Sequence, residues 1–146
     1  MVFDYDIQNC ADLNKQGIEQ EKRGEIDLAI STYERNVSMG YAATHAYERL
    51  MIIYRKRKDY DNEIRVITKA ISIFSDENER RAKAAIERNP TKTKEIIYGL
   101  KTCTAVYGDN VNFAGVKMIC FSPYNVNKYK KRLEKAKQLK QKQYGK

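Results

Sequence analysis

Between Tyr47 and Ile71 the chain reads YERLMIIYRKRKDYDNEIRVITKAI. Leu50, Ile53 and Tyr54 recur at three- or four-residue spacing before the polar run, and Ile64, Ile67 and Ile71 do so after it. That spacing is the period of a helix with one apolar face. The stretch predicts two helices whose apolar faces meet across the turn RKRKDYD, with the charges facing water. An earlier stretch has the same design. Leu13, Gly17 and Gln20 mark one face, KRGEID interrupts, and Ala29, Ile30, Tyr33 and Val37 begin a second stripe. Gly40 is the expected C-terminal cap of that helix, and Thr44 the expected N-cap of the next.

Sliding the sequence along itself lays 11–41 over 45–75. Ile18 falls on Ile52, Lys22 on Lys56, Arg23 on Arg57, Asp27 on Asp61, Ile30 on Ile64 and Ser38 on Ser72. Apolar character is kept where identity is not: Leu13 on Tyr47, Ile26 on Tyr60, Tyr33 on Ile67, Val37 on Ile71. The offset predicts two superimposable helical hairpins, over 11–39 and 43–74. Ser75 followed by Asp76 and Glu77 reads as a further helix start. Asn89-Pro90 reads as another, because Pro is favoured at the first helical position. Ala82, Ala85 and Ile86, then Ile96, Ile97, Leu100, Cys103 and Tyr107, supply sparse faces for a degenerate third pair over 76–107.

The segment 108–124 has neither helical nor strand periodicity. It is expected to be a loop or short extended insertion with Phe113, Met118 and Phe121 tucked against the last helices. A final helix over 125–143 carries Val126, Tyr129, Leu133, Ala136 and Leu139 on one side and mostly Lys and Arg on the other. Repeat stacks need an end helix with one polar face, and this one fits that role.

The repeat resembles the tetratricopeptide family, whose units run to about 34 residues. GEIDLAISTYERNVSMG and KDYDNEIRVITKAISIF are similar to the second helix of that motif. Gly17 stands where the family wants a small residue for close helix crossing, and Ala29 and Tyr33 occupy its small and aromatic positions. Met51, Glu63 and Asn36 depart from the pattern. The second pair is therefore expected to pack less closely, or Glu63 to find a partner. The resemblance implies an all-α, right-handed array of helix pairs, about seven helices with the basic cap. It also implies a concave face for protein or peptide binding, formed by the first helix of each pair. Mapped here, that face contains Asn14, Ile18 and Glu21, then Glu48, Ile52 and Arg55. Isoleucines stand where some relatives grip a peptide carboxylate with asparagine, so the groove suits an amphipathic helix or extended peptide better. The alternative is that Ile18 and Ile52 merely touch inside a tight stack.

Composition adds limits. At 146 residues the chain is one domain of ordinary length. A hydrophobic fraction of 42% against 32% charged residues allows a core of thin layers. No apolar run is long enough to span a bilayer. The N-terminus MVFDYDIQNC lacks the basic–apolar–small pattern of a secretory signal. Cys10, Cys103 and Cys120 form no CxxC pair, which fits reduced thiols in a cytoplasmic protein.

Charge is unevenly placed. Of the net +9, the segment Lys128–Lys146 carries nine bases and one acid, leaving the rest of the chain near +1. Lys128, Lys130, Lys131, Arg132, Lys135, Lys137, Lys140 and Lys142 form the candidate basic patch. It is read either as a solvated cap or as a contact for nucleic acid or another acidic partner. The stripe has too few bulky residues for a membrane surface.

Catalysis finds no constellation. His45 is the sole histidine and is expected at the surface or in a cap. The acid pairs Asp4/Asp6 and Asp59/Asp61 need no catalytic explanation beside helix starts. No metal ligand set, cofactor or phosphate-binding loop is expected. The sequence reading is a non-catalytic binding protein, an adaptor or scaffold, with a nucleic-acid accessory protein as the alternative.

Overall fold

The computed structural model describes residues 4–145, with side-chain surroundings from Gln8 onward. The Asp4/Asp6 pair and Lys146 of the basic tail lie outside those side chains. The architecture is mostly helical: α1 (Asp4–Lys22), α2 (Ile26–Ser38), α3 (Thr44–Lys56), α4 (Tyr60–Arg88), a 3-10 turn at Pro90–Lys92, α5 (Thr93–Thr102), strands β1 (Val106–Val111) and β2 (Lys117–Phe121), and α6 (Val126–Tyr144). Among these residues no helix is long and apolar enough to cross a membrane. The chain divides into two compact units, Met1–Ala70 with Leu133–Lys146, and Ile71–Arg132.

In the first unit the stripes of the sequence become the core. Leu13, Gly17, Gln20, Ala29, Thr32, Tyr33 and Asn36 are buried, and so are their counterparts in the second copy, Tyr47, Met51, Tyr54, Glu63, Val66, Ile67 and Ala70. A Cβ on Gly17 would collide with the Tyr33 ring, so glycine lets α1 and α2 cross closely. Gly24 and Gly40, with φ of 76° and 73°, end α1 and α2 in the left-handed region.

Polar residues within this core are paired. Thr32 donates to Gln20 Oε1 at 2.6 Å, and Asn36 Nδ2 donates to Asn14 Oδ1 at 2.6 Å and to the Cys10 carbonyl at 3.3 Å. Glu63, fully buried, meets Arg55 at 2.8 Å. The residue that departs from the family's alanine therefore has its partner. A buried carboxylate costs several kcal/mol unless it is paired.

In the second unit, one helix runs through the boundary expected at Ser75–Asp76. Fourth and fifth helices are thus one, and six α-helices stand among the described residues where about seven were expected. The reason lies in the buried stripe, which continues without a break from Ile67 and Ala70 through Phe74, Asn78, Ala82 and Ala85. Local capping chemistry at Ser75 loses to that continuous face. Asn78 is buried because it clamps the chain after β2. Its Nδ2 donates to the Tyr124 carbonyl at 3.0 Å, and Tyr124 N–H donates to its Oδ1 at 2.7 Å. Phe74 packs on the rings of Tyr124 and Tyr129.

The helix expected to reach Tyr107 stops at Thr102. Cys103 caps it with φ 56°, and its end carbonyls are taken up by Thr104 N–H donating to Gly99 O at 2.9 Å. The insertion is an antiparallel hairpin. Val106 pairs with Phe121, Tyr107 with Ile119 and Val111 with Lys117, with irregularities between these pairs. Val106 and Phe121 join Ala82, Ala85 and Ile96 in a small core. Phe113 and Met118 do not tuck in. Phe113 is fully exposed and Met118 about half exposed. Asn112 Oδ1 accepts from the Ala114 and Val116 amides, which gives the tip a defined turn.

The α6 stripe has the predicted register. Val126, Tyr129 and Ala136 are buried, Leu133 and Leu139 half-buried. Asn125 caps the helix, its Oδ1 accepting from Lys128 N–H at 3.3 Å.

Candidate protein-binding site

The first helix of each hairpin, α1 and α3, was expected to present six groove residues. Helical geometry puts Asn14, Ile18 and Glu21 on one face of α1 at three- and four-residue steps, and Glu48, Ile52 and Arg55 likewise on α3. All six are half-buried. Their polar members are largely committed within the unit. Asn14 accepts from Asn36. Arg55 pairs with Glu63. Glu21 accepts from Tyr33 Oη at 2.6 Å and from Arg49 through two nitrogens, at 2.5 and 3.1 Å. The apolar surface left at this face is that of Ile18 and Ile52.

The electrostatics follow from those contacts. Burial opposes ionisation of Glu21, yet the hydrogen bonds from Arg49 and Tyr33 and the Arg49 charge outweigh it. The carboxyl is held below its ordinary value of 4.5. Burial, then the Glu21 hydrogen bond and charge, push the Tyr33 hydroxyl far up. Tyr47 is pushed up to about 12, by burial first and Cys10 second. His45 is neither a surface group nor a cap. It is half-buried, with its ring edge-on to Tyr33 at 5.7 Å between centroids.

A second set of polar links joins α2 to the next hairpin. Tyr54 donates to Glu34 at 2.5 Å, Arg65 also pairs with Glu34, and Arg57 meets Asp27 at 2.6 Å. The α1–α3 link is Glu21 to Arg49, and the α2–α4 link is Glu34 to Arg65. Between the two hairpins the backbones of α2 and α3 pack against each other. No family model, curated protein or solved structure matches this chain. The sites therefore rest on geometry alone.

The basic patch is only partly free. Lys130, Lys131, Lys135, Lys137 and Lys142 are exposed along α6. Lys140 pairs with Asp61 at 2.6 Å, which raises its ammonium pKa. Lys128 lies over the Tyr129 ring at 5.1 Å, and Arg132 is half-buried. No disulfide joins the three cysteines. Among the described residues no three His, Cys, Asp or Glu side chains come together as a metal site.

Two surfaces escaped the sequence reading. One is the hairpin, where Tyr107, Val111, Phe113, Val116, Met118 and Ile119 are all more than half exposed. The other is an open cleft of about 350 Å³ between α4 and β2, whose helix wall carries Arg80, Arg81, Ala84, Ala85 and Arg88. Its signal was legible. Arg81, Ala84, Ala85 and Arg88 fall at i, i+3, i+4 and i+7, one helix face with small residues between two arginines.

Proposed function

We propose that this chain is a non-catalytic, cytoplasmic protein- or peptide-binding adaptor built as a tetratricopeptide-like stack of helix pairs. The observation that carries the reading is burial shared at seven matched positions when α1–α2 is laid over α3–α4, from Leu13/Tyr47 and Gly17/Met51 to Tyr33/Ile67 and Asn36/Ala70. The packing of α2 on α3 and the ion pairs from α1 to α3 and from α2 to α4 support it, since each stacked repeat contacts its neighbour. Such a stack presents its first helices as a continuous recognition face. Here that face offers Ile18 and Ile52 within a rim of self-paired charges. The chemistry fits an apolar anchor from an amphipathic helix or extended segment rather than a clamp for a carboxylate.

The test is affinity purification from the native cell after nuclease treatment. The partner is expected to survive nuclease and removal of residues 140–146, and to be lost with Ile18→Glu plus Ile52→Glu. A partner indifferent to both isoleucines would contradict the assignment of this face.

The second reading, binding to nucleic acid through α6, is favoured by its six exposed lysines. It requires log affinity to fall linearly with log salt, at about 0.9 per phosphate contacted on duplex DNA. Absence of binding at about 50 mM salt would eliminate it, because electrostatic contacts are strongest there.

A further inference from the structure

We propose that the cleft between β2 and α4 binds an extended acidic peptide as an added strand, on a surface separate from the α1/α3 face. One wall is β2 and the residue after it, through Ile119, Cys120, Phe121 and Ser122. In a two-stranded sheet each strand has one free side, where alternate N–H and C=O groups await partners. Beyond its pairing with β1, no main-chain hydrogen bond engages β2 among the described residues. The β2 sequence KMICF carries no proline, glycine or acid that would block such pairing.

The opposite wall is basic and leaves room for a chain. Ala84 and Ala85 lie between Arg81 and Arg88, so the helix has no bulky side chain where the cleft runs. Arg81 is fixed. It donates to Glu77, to the Ser122 carbonyl at 3.0 Å and to Tyr124 Oη at 3.2 Å, with its guanidinium 4.4 Å from the centre of the Tyr124 ring. It therefore ties α4 to the chain just after β2 and closes one end. Arg80 is exposed and pairs with the same Glu77, whose carboxyl these hydrogen bonds and charges hold below its ordinary value. Arg88 enters none of the ion pairs formed by the described residues and stands at the other end. Three arginines thus line the cleft and no acid does. The lining attracts anions and repels basic segments.

Dimensions select the ligand. From Arg80 to Arg88 the helix rises about 12 Å, at 1.5 Å per residue. Four residues of extended chain cover about 13 Å, at 3.3 Å each. Side chains at i, i+2 and i+4 of an added strand point the same way. Carboxylates at i and i+4 therefore match the two ends of the cleft, Arg80 at one and Arg88 at the other, with the i+2 side chain over the alanines. The volume lies in the roughly 300–1,000 Å³ range of ligand clefts. Main-chain bonds to β2 would supply affinity and the arginines the preference for acids.

The probe is a fluorescein-labelled octapeptide alternating valine and glutamate, read by anisotropy on the full chain at low salt. It is expected to bind, while the valine–lysine counterpart does not. Arg88→Glu should weaken binding by at least about tenfold, since it replaces a charge-assisted contact with repulsion. Ala84→Phe should abolish it by filling the cleft, with unchanged helicity by circular dichroism. Both positions lie outside the buried core, so folding should persist. Ile18→Glu with Ile52→Glu should leave the affinity unaltered, which separates this site from the α1/α3 face. Peptides N-methylated at alternate amides, in the two possible phases, should differ: one phase binds and the other does not. Failure to bind, equal binding of the lysine peptide, indifference to Arg88→Glu or Ala84→Phe, or equal binding of both phases would each overturn the proposal.

Discussion

The two units solve the problem of a thin core differently. In the first, α1–α4 bury aromatic and branched side chains, including Tyr33, Tyr47, Leu50, Met51 and Ile67. The polar groups carried inward are matched across helices, as in Thr32–Gln20, Asn36–Asn14 and Glu63–Arg55. In the second, the helices bury a smaller apolar set, Phe74, Ala82, Ala85, Ile96, Val126 and Tyr129, and an irregular hairpin leaves six large apolar side chains open. A typical monomer's largest exposed apolar patch is roughly 300–600 Å² and is often functional. The difference separates a region whose side chains serve its own packing from one whose side chains are displayed.

Replacing Tyr33 should do the greatest damage, because its ring fills the space beside Gly17 and its hydroxyl holds Glu21. Tyr33→Ala is expected to cost roughly 3–5 kcal/mol in a denaturant titration, as large aromatic truncations in cores do. Below about 1 kcal/mol, the contrast between the units would lose its main support. Arg55→Ala should cost roughly 3 kcal/mol by stranding a buried carboxylate, with much of that recovered when Glu63→Ala is added. Additive losses in that double-mutant cycle would mean the pair is not coupled. Gly17→Ala comes next, at roughly 1–3 kcal/mol, since the new methyl must displace the Tyr33 ring.

Acid sharpens the comparison further. The folded pKa of Glu21 is depressed, so the unfolded chain binds its proton first as pH falls. The stability this group contributes is complete above its ordinary value of 4.5 and is lost as pH drops through the depressed one. Glu21→Gln should flatten the acid limb of a melting-temperature profile, and an unchanged limb would exclude this linkage. The smallest effect belongs to the hairpin tip. Phe113→Ser should alter stability by less than about 0.5 kcal/mol, as exposed substitutions do. A larger loss would mean that Phe113 is part of a core.

What the sequence made legible follows from the same contrast. Three- and four-residue spacing of large apolar side chains located α1 to α3, the start of α4 and the buried stripe of α6. Glu63's need of a partner could also be read, because a carboxylate at a core position demands one. The boundary at Ser75 misled, since Ser-Asp-Glu is a local cap signal and Asn78 disguises the stripe that overrides it. The hairpin was illegible because irregular pairing on both strands destroys the two-residue alternation. Tyr107 also happens to sit at helical distance from Ile96, Leu100 and Cys103. Among the groove residues, the partners of Asn14 and Glu21 lie 22 and 28 residues away, a pairing that sequence spacing does not display.

The most direct test of the repeat itself is a paired truncation scan, read by chemical unfolding. Leu13 and Tyr47, Thr32 and Val66, Tyr33 and Ile67 are each replaced by alanine, position by position. If 11–39 and 43–74 are two copies of one hairpin, both members of every pair should be destabilising, and large losses at one copy should be large at the other. Losses confined to one member of each pair, with its counterpart in the other copy neutral, would contradict it.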